Sequence, residues 1–501
     1  MFTRLRKHNT IALLLMTAAS IQIGCGGSGA ATNSGSQANT TTTTGSNVIP
    51  SLQAFTTTTG NVSTSSATGS IDQNGVFFQP LGTNGRTCAT CHQLNQGMSI
   101  NAASTQTLFN STNGTNPLFA AVDGANCPNA VTGNATAHSL MLDKALVRVA
   151  IELPKTSEFT LTAISDPYGC AITIDSATGQ QIVSVYRRPL PASSLTFLSN
   201  VMWDTRETIS PLNLAATFSG NLNTDLTAQA VSAVATHMQG TVAPTAAQES
   251  AILTLEEGLF TAQATDTLAG SLSGNGATGG AATLAAQNYH PGINDAFGQD
   301  PSGAKFNPTV FGLFQAWQTS ANAQQASIAR GQGIFNTAPM AITLVRGLND
   351  NPALGSPTVI QGSCGTCHDT PNVGGHSLPL PMDTGTTRLA ASENAPPIIA
   401  GVGQLAAAVV PVYQITGCKD ASGNAVTYTT TDPGTGLFTG LCADVNRVKV
   451  PALRGLAARA PYFHNGSADN LNQLVSFYNA RFRMNLNPQQ QTDLVNFLNA
   501  L

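Results

Sequence analysis

Two short motifs place a pair of cysteines directly before a histidine. The first motif is Cys88-Ala89-Thr90-Cys91-His92 and the second motif is Cys364-Gly365-Thr366-Cys367-His368. Two residues between the cysteines let both sulfurs reach the vinyl groups of one porphyrin, and the adjacent imidazole can then bind its iron. A redox disulfide would require a βαβ context, and a zinc site would require a second cysteine pair nearby. Neither is evident, so the motifs predict two covalently bound c-type haems, attached through Cys88, Cys91 and His92 and through Cys364, Cys367 and His368.

The other cysteines fit an oxidising compartment. Once Cys25 and the two motifs are set aside, four cysteines are left, at 127, 170, 418 and 442. The sequence alone allows three pairings of four cysteines. Pairing within each half closes the shorter loops, so we expect the disulfides Cys127–Cys170 and Cys418–Cys442. Free buried thiols are the alternative.

The first 25 residues have the pattern of a bacterial export signal. Basic residues precede an apolar run over 11–23 that is too short to span a bilayer comfortably. Gly24-Cys25 resembles the end of a lipobox, which predicts a lipoprotein-type signal peptide over 1–25 and a membrane-anchoring lipid on Cys25. An ordinary signal peptide cut elsewhere is the alternative. Either interpretation predicts a periplasmic or cell-surface protein.

Composition narrows the class further. Charged residues make up 9% of the 501 residues and the net charge is −4, which argues against nucleic-acid binding. Residues 26–70 are rich in Gly, Ser, Thr and Asn and nearly uncharged, so we expect a disordered tether there. The remainder has two similar halves, each with one motif.

Local patterns predict several elements near the second motif. Apolar spacing over 327–336 predicts a helix, as does the stretch over 471–482. A third helix is expected near the C-terminus, with Asn487 as its N-cap, Pro488 as its first residue and Leu494, Val495, Phe497 and Leu498 on its apolar face. Alternation and turn residues over 411–431 predict a β-hairpin.

Two longer stretches carry a family resemblance. "VKVPALRGLAARAPYFHNGSADNLNQLVSFYN" (448–479) resembles the C-terminal signature of bacterial dihaem cytochrome c peroxidases and MauG-type enzymes. "RRPLPASSLTFLSNVMWDTRE" (187–207) resembles the segment in which that family places a tryptophan between its two haems. Because helical patterns and loop stretches predominate and only one hairpin is evident, we expect a mainly α fold with long loops and little β. It would have two cytochrome c-like domains: a peroxidatic domain over 71–320 and an electron-transfer domain over 321–501.

The resemblance also implies a division of labour. Peroxide would be reduced at the N-terminal haem, and the C-terminal haem would store and relay electrons. Trp203 would lie between the haems, and Arg206 would hydrogen-bond a haem propionate. A large core aromatic and a surface salt bridge are the plain alternatives for these two residues.

The sixth ligand of the C-terminal haem is expected at Tyr478. In the family this position is Met in the peroxidases and Tyr in the MauG-type enzymes, so Tyr478 resembles a phenolate ligand. Met484 and His376 are the alternatives. We expect His464 to hydrogen-bond near this haem rather than to bind its iron. The family also holds a calcium ion between its domains, and backbone oxygens could bind one here.

The distal side of the N-terminal haem departs from the family pattern. Many dihaem peroxidases have a distal histidine about sixteen residues after the motif, and this stretch contains none. His138 and Met98 are weak substitutes, so the coordination site could be permanently open. For the distal acid/base that peroxide cleavage requires, the nearest candidate is His237, with Glu256 and Glu257 as alternatives.

These expectations favour one function over two others. The first is reduction of hydrogen peroxide to water, with electrons from a small periplasmic donor such as a monohaem cytochrome or a cupredoxin. The second is MauG-like oxidation of an organic or protein substrate by high-valent iron, which the tyrosine and the missing distal histidine favour. The third is a non-enzymatic dihaem electron carrier. The family often dimerises, so a homodimer is compatible with all three.

Overall fold

The structure is a computed structural model that describes residues 47–208, 221–389, 402 and 405–501. The predicted signal peptide and Cys25 lie outside these residues. Residues 47–501 form one folded unit. No helix in the described ranges is long and apolar enough to cross a membrane.

The described residues contain both helices and strands in quantity, with 30% helix and 19% strand arranged as ten helices and five small sheets. The helices are α1 (Ala102–Thr112), α2 (Ala121–Gly124), α3 (Ser139–Lys144), α4 (Leu222–Thr236), α5 (Ala246–Glu257), α6 (Ala281–Ala285), α7 (Ala323–Thr337), α8 (Gly436–Thr439), α9 (Leu471–Arg481) and α10 (Pro488–Asn499). The strands are β1 (Val48–Pro50), β2 (Ala54–Thr56), β3 (Gly60–Ser66), β4 (Ser70–Asp72), β5 (Val147–Glu152), β6 (Thr160–Ser165), β7 (Ile172–Ile174), β8 (Gln181–Arg187), β9 (Leu259–Asp266), β10 (Gly270–Ser271), β11 (Met340–Ile342), β12 (Ile360–Gly362), β13 (Val412–Lys419) and β14 (Ala425–Thr430). The prediction of a mainly α fold with little β is therefore wrong.

Part of this error lies in the stretch expected to be a disordered tether up to residue 70. Strands β1 to β4 already form from residue 48, and β3 pairs antiparallel along β9 in the four-stranded sheet β10-β9-β3-β2. The Thr64 and Thr261 hydroxyls lie 2.8 Å apart across this pair. A Thr/Ser-rich segment that could not bury a core alone is thus ordered by a strand from far along the chain.

The rest of the error lies in a β-rich region built from both halves of the chain. One sheet has the order β5-β8-β7 and another has the order β14-β13-β6. They share a core that includes Val183, Val185, Tyr413 and Ile415. Because β6 pairs with β13, this region spans the boundary expected at residues 320 and 321.

Both disulfides secure this β-rich region. Cys127 is bonded to Cys170, and Cys418 is bonded to Cys442. The pairing predicted from loop lengths is confirmed. Each bond closes a loop that would otherwise be free in the unfolded chain, which stabilises the fold.

Helices α7, α9 and α10 enclose the second motif, and all three were predicted. The Asn487 side chain accepts a hydrogen bond from the main-chain N–H of Gln490, and Pro488 opens α10 as expected. The predicted hairpin is confirmed as β13 and β14. Helix α7 crosses α10 at Gly331, where a Cβ atom would lie 2.0 Å from the carbonyl oxygen of Asp493, so a side chain there would force the helices apart.

Candidate functional site

The two motifs fold into the same local structure. Cys88–Thr90 and Cys364–Thr366 each form one turn of 3-10 helix. The Thr90 hydroxyl accepts from the main-chain N–H of Thr87 over 2.9 Å, and the Thr366 hydroxyl accepts from that of Ser363 over 3.0 Å. In each motif the main-chain N–H of the histidine donates to the carbonyl of the first cysteine over 3.0 Å. The turn brings both cysteines and the histidine of each motif together.

Both motif histidines are oriented through Nδ1. The Nδ1 atom of His92 lies 3.2 Å from the Met98 carbonyl oxygen, and that of His368 lies 3.3 Å from the Val373 carbonyl oxygen. Burial lowers the pKa of each imidazole to about 4. Each ring is therefore neutral at pH 7, and with Nδ1 facing a carbonyl its Nε2 is the nitrogen available to bind a metal.

The four motif cysteines are not disulfide-bonded. Burial raises the pKa of Cys88, Cys364 and Cys367 to about 12 and that of Cys91 to about 11. Thiols this weakly acidic are poor thiolate nucleophiles, which argues against a redox disulfide of the thioredoxin kind. They are compatible with permanent thioether attachment.

A deep, mainly apolar pocket opens beside the second motif. We call it the central pocket, and Cys364, Cys367 and His368 contribute to its wall. Further apolar residues come from α7, β11, α9, α10, the stretch over 448–464 and several loops. Its space, including open solvent at the mouth, is about 1500 Å³.

The central pocket contains two of the three candidates for a sixth ligand. Tyr478 and Met484 both line it, with Tyr478 projecting from α9. The Tyr478 ring stacks on Phe482 with centroids 5.7 Å apart, and burial raises the pKa of its phenol. His376 does not line this pocket but packs against Tyr289, with ring centroids 5.2 Å apart.

Buried cations at the pocket wall point to an anionic occupant. Lys449 and Arg459 line the central pocket, are 5% and 8% exposed, and have no carboxylate within salt-bridge distance in the described ranges. Among the described residues, the Lys449 amine donates to the Asn200 carbonyl alone, and burial lowers its pKa to about 7. Buried cations without an anion are costly. The propionates of a haem would compensate them, so the pocket residues fit this cofactor.

Trp203 also lines the central pocket. Its Nε1–H donates to the Arg188 carbonyl over 2.7 Å, and its ring meets that of His464 edge to face with centroids 6.1 Å apart. His464 lines the same pocket, as expected of a residue near the second motif. Burial lowers the pKa of His464 to about 4, so its ring is neutral at pH 7.

Arg206 belongs to a buried ion network. Its Nη1 lies 2.8 Å from the Asp204 carboxylate, which also binds Arg187. Arg187 in turn forms a bidentate pair with Asp432, at 2.6 and 2.8 Å. Arg206 is thus neither an isolated surface ion pair nor free of protein partners, and it does not line the central pocket.

At the first motif, Glu256 is the most unusual group. It is 4% exposed and its Oε2 has no hydrogen-bond partner in the described ranges. Burial raises its pKa to about 8, and its charge acts on Cys88. Such a carboxyl is protonated at pH 7 and close to its transition, as a general acid/base must be. Nothing in the sequence ranks Glu256 above its neighbour Glu257, because two adjacent glutamates do not reveal which of them is buried.

His237 lies near the first motif as well. It follows α4, its Nδ1 binds the Asp123 carboxylate, and that carboxylate also binds Arg86. The His237 side chain is 33% exposed, and its charge acts on His92. An Asp-held imidazole between solvent and the motif could relay protons.

The two substitutes for a distal ligand are otherwise engaged. The Met98 carbonyl faces Nδ1 of His92, and its side chain is buried in the core beside the first motif. His138 is buried with Nδ1 2.8 Å from the Asn134 carbonyl oxygen and Nε2 3.0 Å from that of Phe119. Both ring nitrogens of His138 therefore face carbonyl oxygens, and the Met98 main chain faces the ring of His92.

No group of three or more His, Cys, Asp or Glu side chains in the described ranges is arranged to hold a metal ion. A calcium ion bound through backbone oxygens stays an expectation. No model of a known protein family matches the chain, and no curated protein is similar to it.

Proposed function

We propose that this protein is an exported dihaem c-type cytochrome that reduces hydrogen peroxide to water with electrons from a small periplasmic donor. The observation that carries the proposal is the shared structure of two Cys-x-x-Cys-His motifs with neutral, Nδ1-oriented histidines. The buried, uncompensated cations of the central pocket add support, because they fit haem propionates. The two disulfides fit an oxidising compartment.

Each haem would be held by residues already in place. Cys88 and Cys91 would form thioethers with one haem and His92 would bind its iron. Cys364, Cys367 and His368 would do the same for the other, with Tyr478 as the second iron ligand and Lys449 near its propionates. When bound, the two haems supply one-electron redox chemistry and an iron centre at which the peroxide O–O bond can be reduced.

The reaction consumes one hydrogen peroxide, two electrons and two protons and yields two waters. Because its pKa lies near 8, Glu256 would be protonated at pH 7; it would deliver its proton to the departing peroxide oxygen and then be reprotonated. His237, held by Asp123 and partly exposed, would replenish protons from solvent. If Glu256 does not move the proton, His237 is the other candidate for that role.

Trp203 would assist electron passage between the two motifs. It is buried, lines the central pocket and is held through its indole N–H. Arg206 would act through Asp204 and Arg187, which fix the loop that carries the indole.

Tyr478 favours a second candidate function within the same architecture. Its phenol lines the central pocket together with His368. An oxygen ligand would lower the potential of that haem and favour MauG-like oxidation of an organic or protein substrate. Loss of this tyrosine should then abolish substrate oxidation.

The experiment that tests the proposal is spectroscopy of the purified ferric holoprotein, before and after one equivalent of hydrogen peroxide. Electronic and EPR spectra should show one high-spin and one low-spin haem, and the high-spin signal should change rapidly with peroxide. Two low-spin haems that ignore peroxide, in both the oxidised and half-reduced states, would leave only the electron-carrier function.

A further inference from the structure

The segments 188–203 and 449–464 are related by an internal two-fold repeat of their main-chain contacts. The Ala192 N–H donates to the Met98 carbonyl over 3.0 Å, and the Leu453 N–H donates to the Val373 carbonyl over 3.1 Å. These two carbonyls are the ones that face the motif histidines. Counting back from these donors by the same number of residues gives Arg188 in one segment and Lys449 in the other.

Two main-chain hydrogen bonds join the two segments, one donated by each. The Arg188 N–H donates to the His464 carbonyl over 2.7 Å, and the Lys449 N–H donates to the Trp203 carbonyl over 2.8 Å. Trp203 follows Arg188 at the same spacing at which His464 follows Lys449. The indole and the imidazole therefore occupy matching positions where the two segments meet.

The surroundings of the Arg188 side chain have no counterpart at Lys449 in this repeat. The Arg188 guanidinium is 5% exposed and is surrounded by main-chain carbonyls. Nη2 donates to Ile100 and Arg459 over 2.6 and 2.7 Å, and Nη1 lies 3.1 and 3.4 Å from the Lys144 and Ala145 oxygens. No carboxylate in the described ranges lies within salt-bridge distance of it. A planar fork of donors is the group that can satisfy several carbonyls at once.

We propose that Arg188 is a positioning residue that fixes the Trp203 indole between the two motifs by joining carbonyls of both halves of the chain around itself. Ile100, Lys144 and Ala145 precede it in the first half, and Arg459 and His464 lie in the second. The same residue supplies the carbonyl that accepts the Trp203 N–H. The indole ring cannot rotate away from this position without breaking that hydrogen bond or displacing the Arg188 backbone.

The electron-transfer consequence rests on the proposed function, whereas the positioning does not. Small displacements of a reacting group lower rates steeply, so loss of the guanidinium should slow electron transfer between the two haems by about 10-fold or more. Arg188 lines the central pocket but contributes no predicted thioether or iron ligand, so the amount of covalently attached haem should not change.

The test compares Arg188→Lys and Arg188→Met with Arg454→Lys in the holoprotein. Arg454 is a matched control, because it is a buried guanidinium whose partners within the described part of the chain are the Pro371 and Gly279 carbonyls. Ultraviolet resonance Raman reports the hydrogen bond of each indole N–H. Trp317, which donates to Gly274, is the internal reference, and Trp203→Phe assigns the bands.

Both Arg188 variants should shift the Trp203 band towards a free N–H and slow electron transfer, and Arg454→Lys should do neither. An unshifted band in Arg188→Met, or a shifted band with an unchanged rate in both Arg188 variants, would overturn the proposal. A wild-type protein inert to peroxide would refute the proposed function, and the Raman band would still decide the positioning.

Wild-type hydrogen exchange keeps the test decisive if the Arg188 variants fail to fold. The proposal requires the Trp203 N–H to exchange with deuterium far more slowly than free indole. Exchange as fast as that of free indole would show that the Arg188 carbonyl does not hold it.

Discussion

The carbonyl oxygen of Met98 lies 3.2 Å from Nδ1 of His92. Met98 reaches this position with a left-handed backbone, φ 58°, while its side chain is fully buried. Val373 has the same relationship to His368, with φ 56°. Main-chain carbonyls, rather than side chains, therefore orient both motif histidines.

This relationship predicts that the Met98 thioether does not bind the N-terminal haem iron. Met98→Leu should leave the absorption and EPR spectra of that haem unchanged, because the carbonyl is retained and such volume-conserving swaps cost less than about 1.5 kcal/mol. His92→Ala is the positive control and should alter those spectra. A spectral change in Met98→Leu comparable to that of His92→Ala would contradict the prediction.

Tyr478 is predicted to be the second iron ligand at the C-terminal haem. Tyr478→Phe should change the low-spin EPR signal of that haem, because the variant keeps the stacking on Phe482 but removes the oxygen. Met484→Leu is the matched control from the same pocket and should leave the signal unchanged. The reverse pattern would identify Met484 as the ligand.

Glu256 is predicted to move the proton during peroxide reduction. Glu256→Gln should lower the peroxidase rate by about 10²- to 10⁴-fold, the range typical for loss of a general acid/base, without loss of haem. Glu257→Gln, at the partly exposed neighbour, should have little effect. If His237→Gln abolishes activity and Glu256→Gln does not, the acid/base is His237.

The same carboxyl makes the stability of the fold pH-dependent. Burial raises the pKa of Glu256 from 4.5 to about 8, so the folded protein keeps a proton that the unfolded chain releases. The free energy of unfolding should therefore fall, relative to that of Glu256→Gln, as pH rises from 4.5 to 8. Denaturant unfolding of both proteins across this range measures the difference, and parallel curves would show that Glu256 titrates normally.

The disulfide Cys418–Cys442 should stabilise the β-rich region. Replacing both cysteines by serine should lower the free energy of unfolding by about 3 kcal/mol, from the entropy regained by a loop of this size in the unfolded chain. The control is the same measurement on a variant in which Cys127 and Cys170 are both replaced by serine. This variant opens a longer loop, so its free energy of unfolding should fall slightly more. Equal stability of all three proteins would show that neither loop is constrained in this way.

Features set by neighbouring residues were predictable from the sequence. The capped start of α10 and the β13–β14 hairpin each depend on a few consecutive residues, and both were predicted. The disulfide pairing followed from loop length. Trp203 and Tyr478 were placed by resemblance, and both line the central pocket.

Features set by distant partners were not predictable. Strand β3 is ordered by β9, which lies far along the chain, so composition alone wrongly assigned it to a disordered tether. The burial of Lys449, Arg188 and Glu256 depends on what covers them, and nothing in the immediate sequence of Arg188 or Glu256 indicates it. For Lys449 alone a signal existed, because it is a single charged residue between two valines.

The pairing of β6 with β13 has a consequence for how the chain is made. Strand β6 leaves the ribosome long before β13 exists, so one edge of the nascent sheet has to wait for most of the second half to be synthesised. Long-range pairing of this kind slows folding and leaves a strand edge open to other chains. We therefore expect production of the folded protein to depend on chaperones that bind unfolded chains. This dependence should be stronger than the stability of the folded state would suggest.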